Sequence, residues 1–246
     1  MSNTVVPAPK PTVFSLLINL TSLAACGWGL RWAATIELPP SLKQAGHKQF
    51  LTNISVIATL ISNVTNVANF FIQRNKDSIK CKKLRDRSNF ISRNIALPIA
   101  LVLESIVPLI YWPLRLFFLP LIMQGIPSND TPSPVPISVD CCIHLFPFIF
   151  LMSDHYLSGA GTKFQLSNAR VWVITTALGF GYYRYLAFLI DPKRGQSNPY
   201  PFLDVEEPYK GIIFVGATTF AWLFYVLYQK FPPKTITRIA SEKKKY

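Results

Sequence analysis

The sequence predicts an all-α polytopic membrane protein, one domain built as a bundle of about six transmembrane helices. Three observations carry this. Six apolar runs are long enough to cross a bilayer. Half of the 246 residues are hydrophobic and only 15% are charged. The basic residues gather in short segments between the apolar runs, where orientation signals lie. A net charge of +13 taken alone would suit nucleic acid. Its confinement to those segments argues for the membrane as partner and against nucleic acid.

The first run, Val13 to Arg31, closes on Trp28, Arg31 and Trp32 at an interface. The preceding MSNTVVPAPKPT is polar and Pro-rich, unlike a cleavable signal. A short loop leads to the second run, Phe50 to Gln73, which carries no charge. At about 1.5 Å per residue it extends roughly 36 Å, against a hydrocarbon core of about 30 Å. Thr52, Ser55, Thr59, Ser62, Asn66, Asn69 and Gln73 recur at steps of three and four, so they form one helical stripe. In a spanning helix such a stripe turns away from lipid.

Between Arg74 and Asn94 come eight Lys or Arg and two Asp, a basic loop on the cytosolic side. The third span runs from Ile95 to about Trp112, and Pro113 to Met123 is expected to be interfacial or re-entrant. Asn129 then heads an Asn-Asp-Thr sequon in a Pro-rich loop, made a poor acceptor by Pro132. The fourth span is Ile137 to about Leu157, in which Pro147 is expected to bend the axis. The fifth is Val171 to Ile190 and the sixth Gly211 to Tyr228, followed by a basic tail at 229–246. No internal repeat is visible, and no pair of broken helices recurs in the two halves, which disfavours a transporter.

Six spans put both termini on one side. That side then holds most of the 25 Lys and Arg, which places the termini in the cytosol. The ending Lys243-Lys244-Lys245-Tyr246 has the form of a dilysine retrieval signal for the endoplasmic reticulum; a basic tail drawn to acidic lipid is the alternative. Cys26, Cys81, Cys141 and Cys142 show neither a disulfide framework nor a CxxC site. The three His are far apart without an HxxxH or HExxH pattern, so no metal and no cofactor are expected.

Titratable residues inside spans are functional candidates, because hydrocarbon penalises them by a few kcal/mol. They are Glu104, His144, Asp154, His155 and Arg184. Asp154 and His155 fall near the inner end of their span, where water can reach them. Glu104 and Arg184 are candidates for a structural pair. His144 and Thr52 both lie near the starts of spans that enter from the same, outer side, and their depths differ by less than two helical turns. Asp140 sits four residues before His144 on the same helical face, placed to accept from the imidazole and fix its tautomer. A Thr hydroxyl activated by a His base suits attack on an ester or amide of a membrane lipid. Against that reading, Thr on a polar stripe is commonly interhelical glue, and His47 is a competing base.

The same residues carry a family resemblance. Gly46-His47-Lys48-Gln49-Phe50-Leu51-Thr52 resembles the Gly-x-x-x-aromatic-Leu-Thr opening of a second span. Asp140-Cys141-Cys142-Ile143-His144 with Pro147 resembles an Asn-His-x-x-His-Thr segment and its following Pro. Asn198-Pro199-Tyr200-Pro201-Phe202-Leu203 resembles a Trp-x-Tyr-Pro-x-Leu motif. All three belong to the androgen-induced protein/androgen-dependent TFPI-regulating protein family, and the chain resembles a divergent, fungal-type member. The resemblance implies a multipass threonine hydrolase of fatty acid esters of hydroxy fatty acids, with Thr52 as nucleophile and His144 as its partner. Asp140 stands where the family has Asn, Cys141 where it has a first His, and Asn198 where it has Trp. Tyr200 and Ser55 are expected to help shape the site. The rival expectation is a non-catalytic lipid-binding or regulatory membrane protein using the same polar stripe.

Overall fold

In the computed structural model, residues 9–74, 79–125 and 133–234 are described; Asn129 and the C-terminal lysines lie outside them. The described chain is helical with no strand. We number the main helices α1 (Val13–Ala33), α2 (Leu51–Ile72), α3 (Ile79–Phe90), α4 (Leu97–Phe117), α5 (Ile137–His144), α6 (Phe146–Tyr156), α7 (Asn168–Leu189) and α8 (Tyr209–Lys230). Five helical stretches are long and apolar enough to cross a membrane, and α5 with α6 makes a sixth if that bent pair is one span.

Two boundaries differ from expectation. The 74–94 segment is not simply a solvated loop: it is helical from Ile79, and a π-helix over Ile91–Ala96 joins α3 to α4. Nor does the third span stop at Trp112, since α4 runs through Pro113 and Arg115 to Phe117 before a 3-10 turn at Leu119–Leu121. A mid-helix Pro forfeits one N–H bond, which neighbouring helices offset inside a bundle.

The fourth span is broken. The α5 and α6 axes meet at 42° across Leu145, with Pro147 at the first turn of α6, where its missing N–H costs nothing. The break frees the His144 carbonyl, which accepts instead from the Trp112 indole N–H at 3.2 Å.

Burial of the α2 stripe follows the periodicity. Thr52, Ser55, Thr59, Ser62, Asn66 and Asn69 are all buried, whereas Ile57, Ile61 and Val64 are exposed on the opposite side. The stripe meets α1 and α4: Asn63 donates to Ser22 Oγ at 2.7 Å, and Thr59 donates to Glu104 Oε1 at 3.2 Å. Glu104 is therefore not paired with Arg184, which is exposed on α7. That pairing rested on topology alone, and helix register decides against it.

Asp154 and His155 do not reach water either, being 1% exposed each. Arg93, which the sequence places in the basic loop, turns inward from the π-helix and is equally buried. Its Nη1 donates to Asp154 Oδ2 at 2.5 Å and its Nη2 to Ser15 Oγ at 2.9 Å. The Ser15 hydroxyl donates in turn to Asp154 Oδ1. His155 lies beside this cluster, stacked on Phe164 with ring centroids 4.7 Å apart.

Two stability outcomes follow. Asp154→Ala leaves the Arg93 guanidinium buried without its counterion, which should cost about 3–5 kcal/mol, whereas Arg93→Met with Asp154→Leu should be markedly less harmful. Thermal unfolding in detergent reads both. On α1, a Cβ at Gly29 would stand 2.5 Å from the Cys142 Cβ and 3.1 Å from Ile143 Cγ2. Gly29→Leu should accordingly overpack the α1–α5 contact, lowering stability by about 1–3 kcal/mol in the same measurement.

Candidate functional site

The site is built at the outer ends of α2 and α5. Gly46 (φ 65°, ψ −168°) takes a conformation open essentially to glycine alone, and so turns the chain into the 3-10 turn His47–Gln49. Gln49 is fully buried and donates to the carbonyls of Leu42 and Gly46, at 3.0 Å each. The Tyr182 hydroxyl of α7 donates to the Gln49 carbonyl at 2.7 Å. This frame starts α2 at Leu51, with no side-chain cap on its first turn.

Thr52, His144 and Tyr200 line one cavity of about 640 Å³, together with His47 and Tyr111. The structure thus sets the two sequence-predicted reacting groups, each 7% exposed, on one cavity, and His47 borders the same cavity. Ser55 is not in the cavity. It is fully buried behind Thr52, donates to the Thr52 carbonyl at 2.8 Å, and lies beside Glu104.

Asp140 is buried against His144 as the i, i+4 spacing expects. His144 Nδ1 lies 3.1 Å from Asp140 Oδ1, an ion-pair distance whose geometry falls short of an aligned hydrogen bond. With Nδ1 turned to the carboxylate, Nε2 is the nitrogen left for the cavity.

Two further residues hold this pair, and neither was anticipated as a site residue. The Tyr111 hydroxyl donates to Asp140 Oδ1 at 2.5 Å, and its ring stacks flat on the imidazole, centroids 3.4 Å apart and planes 3° apart. Arg115 Nε donates to Asp140 Oδ2 at 3.0 Å. No signal marked Tyr111. For Arg115 one was present: a carboxylate inside a span calls for a cation, and Arg115 lies in a neighbouring apolar stretch. Continuation of α4 past Pro113 is what delivers it.

Tyr200 approaches from the loop before α8. Its hydroxyl faces the Thr52 hydroxyl and the backbone N–H groups of Leu51 and Thr52. Burial raises its pKa. Its ring stands edge-on to Phe50, centroids 5.9 Å apart, and stacks on Phe202 at 5.4 Å. At the mouth of the cavity, Lys43 donates to Glu37 at 2.8 Å and holds that carboxyl below its ordinary pKa. Among the described residues no cluster of His, Cys, Asp or Glu is fit to hold a metal ion.

The arrangement predicts a graded response at Asp140. Asp140→Leu leaves Arg115, Tyr111 and His144 without their common acceptor and should destabilise by about 2–4 kcal/mol. Asp140→Asn, which keeps an oxygen for one donor, should lose less than half of that. Melting temperatures of the two variants check the order.

The model of the FAR-17a/AIG1-like protein family matches residues 14–232. The chain is 56% identical over 233 residues to a UPF0641 membrane protein of Saccharomyces cerevisiae, covering 94% of this chain and 96% of that one. It is 24% identical over 201 residues to a UPF0641 membrane protein of Schizosaccharomyces pombe, covering 81% of each. No solved structure matches the chain significantly.

Proposed function

The chain is a membrane protein of the FAR-17a/AIG1-like family, and from that premise we propose that it is an intramembrane hydrolase of lipid esters, threonine-type, acting on fatty acid esters of hydroxy fatty acids. One observation carries the reading: a Thr hydroxyl and a His backed by a buried carboxylate line one cavity inside the helical bundle.

The steps use the hydroxyl, the imidazole and the carboxylate of that cavity. As Thr52 Oγ1 attacks the ester carbonyl carbon, His144 Nε2 takes the hydroxyl proton, and Asp140 holds the ring in the tautomer that leaves Nε2 free. The tetrahedral intermediate collapses by breaking the bond to the alcohol oxygen, which receives the proton from His144. Water then attacks the acyl-threonine by the same route, releasing the fatty acid and restoring the hydroxyl. Tyr111 and Arg115 act as positioning residues by fixing Asp140. Tyr200 shapes the cavity beside Thr52, and Ser55 braces the first turn of α2 from behind. The substrate enters from the bilayer, with no cofactor and no nucleic acid involved. We also propose that the protein resides in the endoplasmic-reticulum membrane with both termini cytosolic; the distribution of Lys and Arg supports that orientation.

A fluorophosphonate-type active-site probe on purified protein tests the assignment. Wild type should be labelled, while Thr52→Ala and His144→Ala should lose labelling and at least about a thousandfold in ester hydrolysis, as for other nucleophile–base pairs. Normal labelling of a folded Thr52→Ala protein would return Thr52 to a packing role and favour the non-catalytic lipid-binding reading.

A further inference from the structure

Tyr200 also borders a second cavity. This crevice, of about 450 Å³, runs between α4, α7 and α8 and is lined almost wholly by carbon. We propose that it is the binding site for the acyl chain of the substrate, the chain whose carbonyl carbon Thr52 attacks; the inference rests on the hydrolase reading above.

Three observations carry it. The first is adjacency to the candidate site. Leu51 and Tyr200 line the crevice, while Phe50, Thr52 and again Tyr200 line the cavity that holds His144. One aromatic ring and one turn of backbone therefore separate the two spaces, and a carbonyl at the top of the crevice lies against the start of α2.

The second is the chemistry of the walls. Hydroxyls border the crevice, but the bundle already occupies most of them. Thr175 donates to the Val171 and Trp172 carbonyls, and Thr218 to those of Phe214 and Val215. Tyr182 donates to Gln49 O and Tyr225 to Leu166 O. A headgroup, a peptide or water would find its hydrogen bonds unmet there, and each unmet bond is costly. A hydrocarbon chain asks for none.

The third is place and size. The crevice follows α4 from Pro98 to Ile110, about 18 Å at 1.5 Å per residue. Its sides include Leu178 and Ile174, which are exposed on the lipid-facing surface. A crevice open to the bilayer at this depth meets lipid tails before any other molecule.

Ala217 lies midway along the stripe of α8 that faces the crevice, between Ile213 and Ala221. Ala217→Trp fills the passage there, and Leu178→Trp narrows it from the exposed side, where extra bulk does not burden the core. In hydrolysis of a graded ester series, each variant should lower the ratio of kcat/KM for a sixteen-carbon acyl ester to that for a four-carbon one by about tenfold or more. An unchanged ratio in both variants would overturn the proposal.

Binding is read separately from turnover with a palmitoyl ester carrying a diazirine at its terminal carbon, photolysed in the Thr52→Ala protein. Crosslinks on α4, α7 and α8 peptides, competed by unlabelled palmitoyl ester and lost in Ala217→Trp, support the site. Crosslinks only on other helices, or labelling that Ala217→Trp leaves intact, refute it. If the hydrolase reading fails, no ester is cleaved, yet the photolysis still decides whether the crevice holds an acyl chain.

Discussion

A helix carrying seven polar side chains on one face has nothing to offer hydrocarbon, and α2 can exist in a bilayer only if other helices take that face from it. This constraint orders the bundle. Asn63 reaches Ser22 on α1 and Thr59 reaches Glu104 on α4, so α2 is gripped from two sides along its length. Nearer the opposite end from the site, Arg93, Asp154 and Ser15 tie the start of the α4 span to α6 and α1. Side chains that read as liabilities in the sequence are the connections that fix helix order and rotation. Thr52 owes its place to them, being the first member of the gripped stripe and the one whose side chain meets a cavity rather than a partner helix.

The same logic explains why the candidate site needs a broken helix. A straight fourth span would direct its His144 carbonyl along its own axis and commit the segment to one face. The bend at Leu145 hands that carbonyl to Trp112 and lets α5 lean on α1 while α6 turns toward the inner cluster. Gly29 is what allows the lean, because any larger residue would meet Cys142. Asp140 and His144 then face α4, where Tyr111 supplies a flat ring and a hydroxyl and Arg115 a guanidinium. A carboxylate held by two donors is a stiff support for an imidazole.

Much of this was legible in the sequence, for physical reasons. Periodicity in α2 reports burial directly, since lipid enforces the sorting of polar from apolar faces. That Thr52 and His144 lie within two helical turns of each other in depth is an expectation drawn from span starts, which hydropathy locates within a few residues. What could not be read is rotation about each helix axis. Topology permits Glu104 to face Arg184; the register instead points Glu104 at Thr59 and turns Arg184 outward. Arg93 reads as one more basic loop residue until the π-helix swings it inward, and no local pattern announces a π-turn. The extension of α4 was hidden by Pro113, whose helix-breaking habit in water weakens inside a bundle. With that extension went Arg115, the cation that buried Asp140 required.

The two cavities on either side of Tyr200 differ in the way the two parts of a lipid ester differ. One is bordered by hydroxyls that the bundle has already claimed; the other is rimmed by Lys43, Glu37 and His47 and holds the imidazole. A long-chain ester has its single reactive polar group at the join between an acyl chain and an alcohol portion. If the chain fills the crevice, the carbonyl comes to rest where the crevice ends, at the Tyr200 hydroxyl and the uncapped first turn of α2. The backbone N–H groups of Leu51 and Thr52 in that turn face the Tyr200 hydroxyl, so polar groups gather at the point that presents Thr52. The polar mouth is left for the alcohol portion, and a hydroxy fatty acid, apolar along its length and charged at one end, has the chemistry to occupy it.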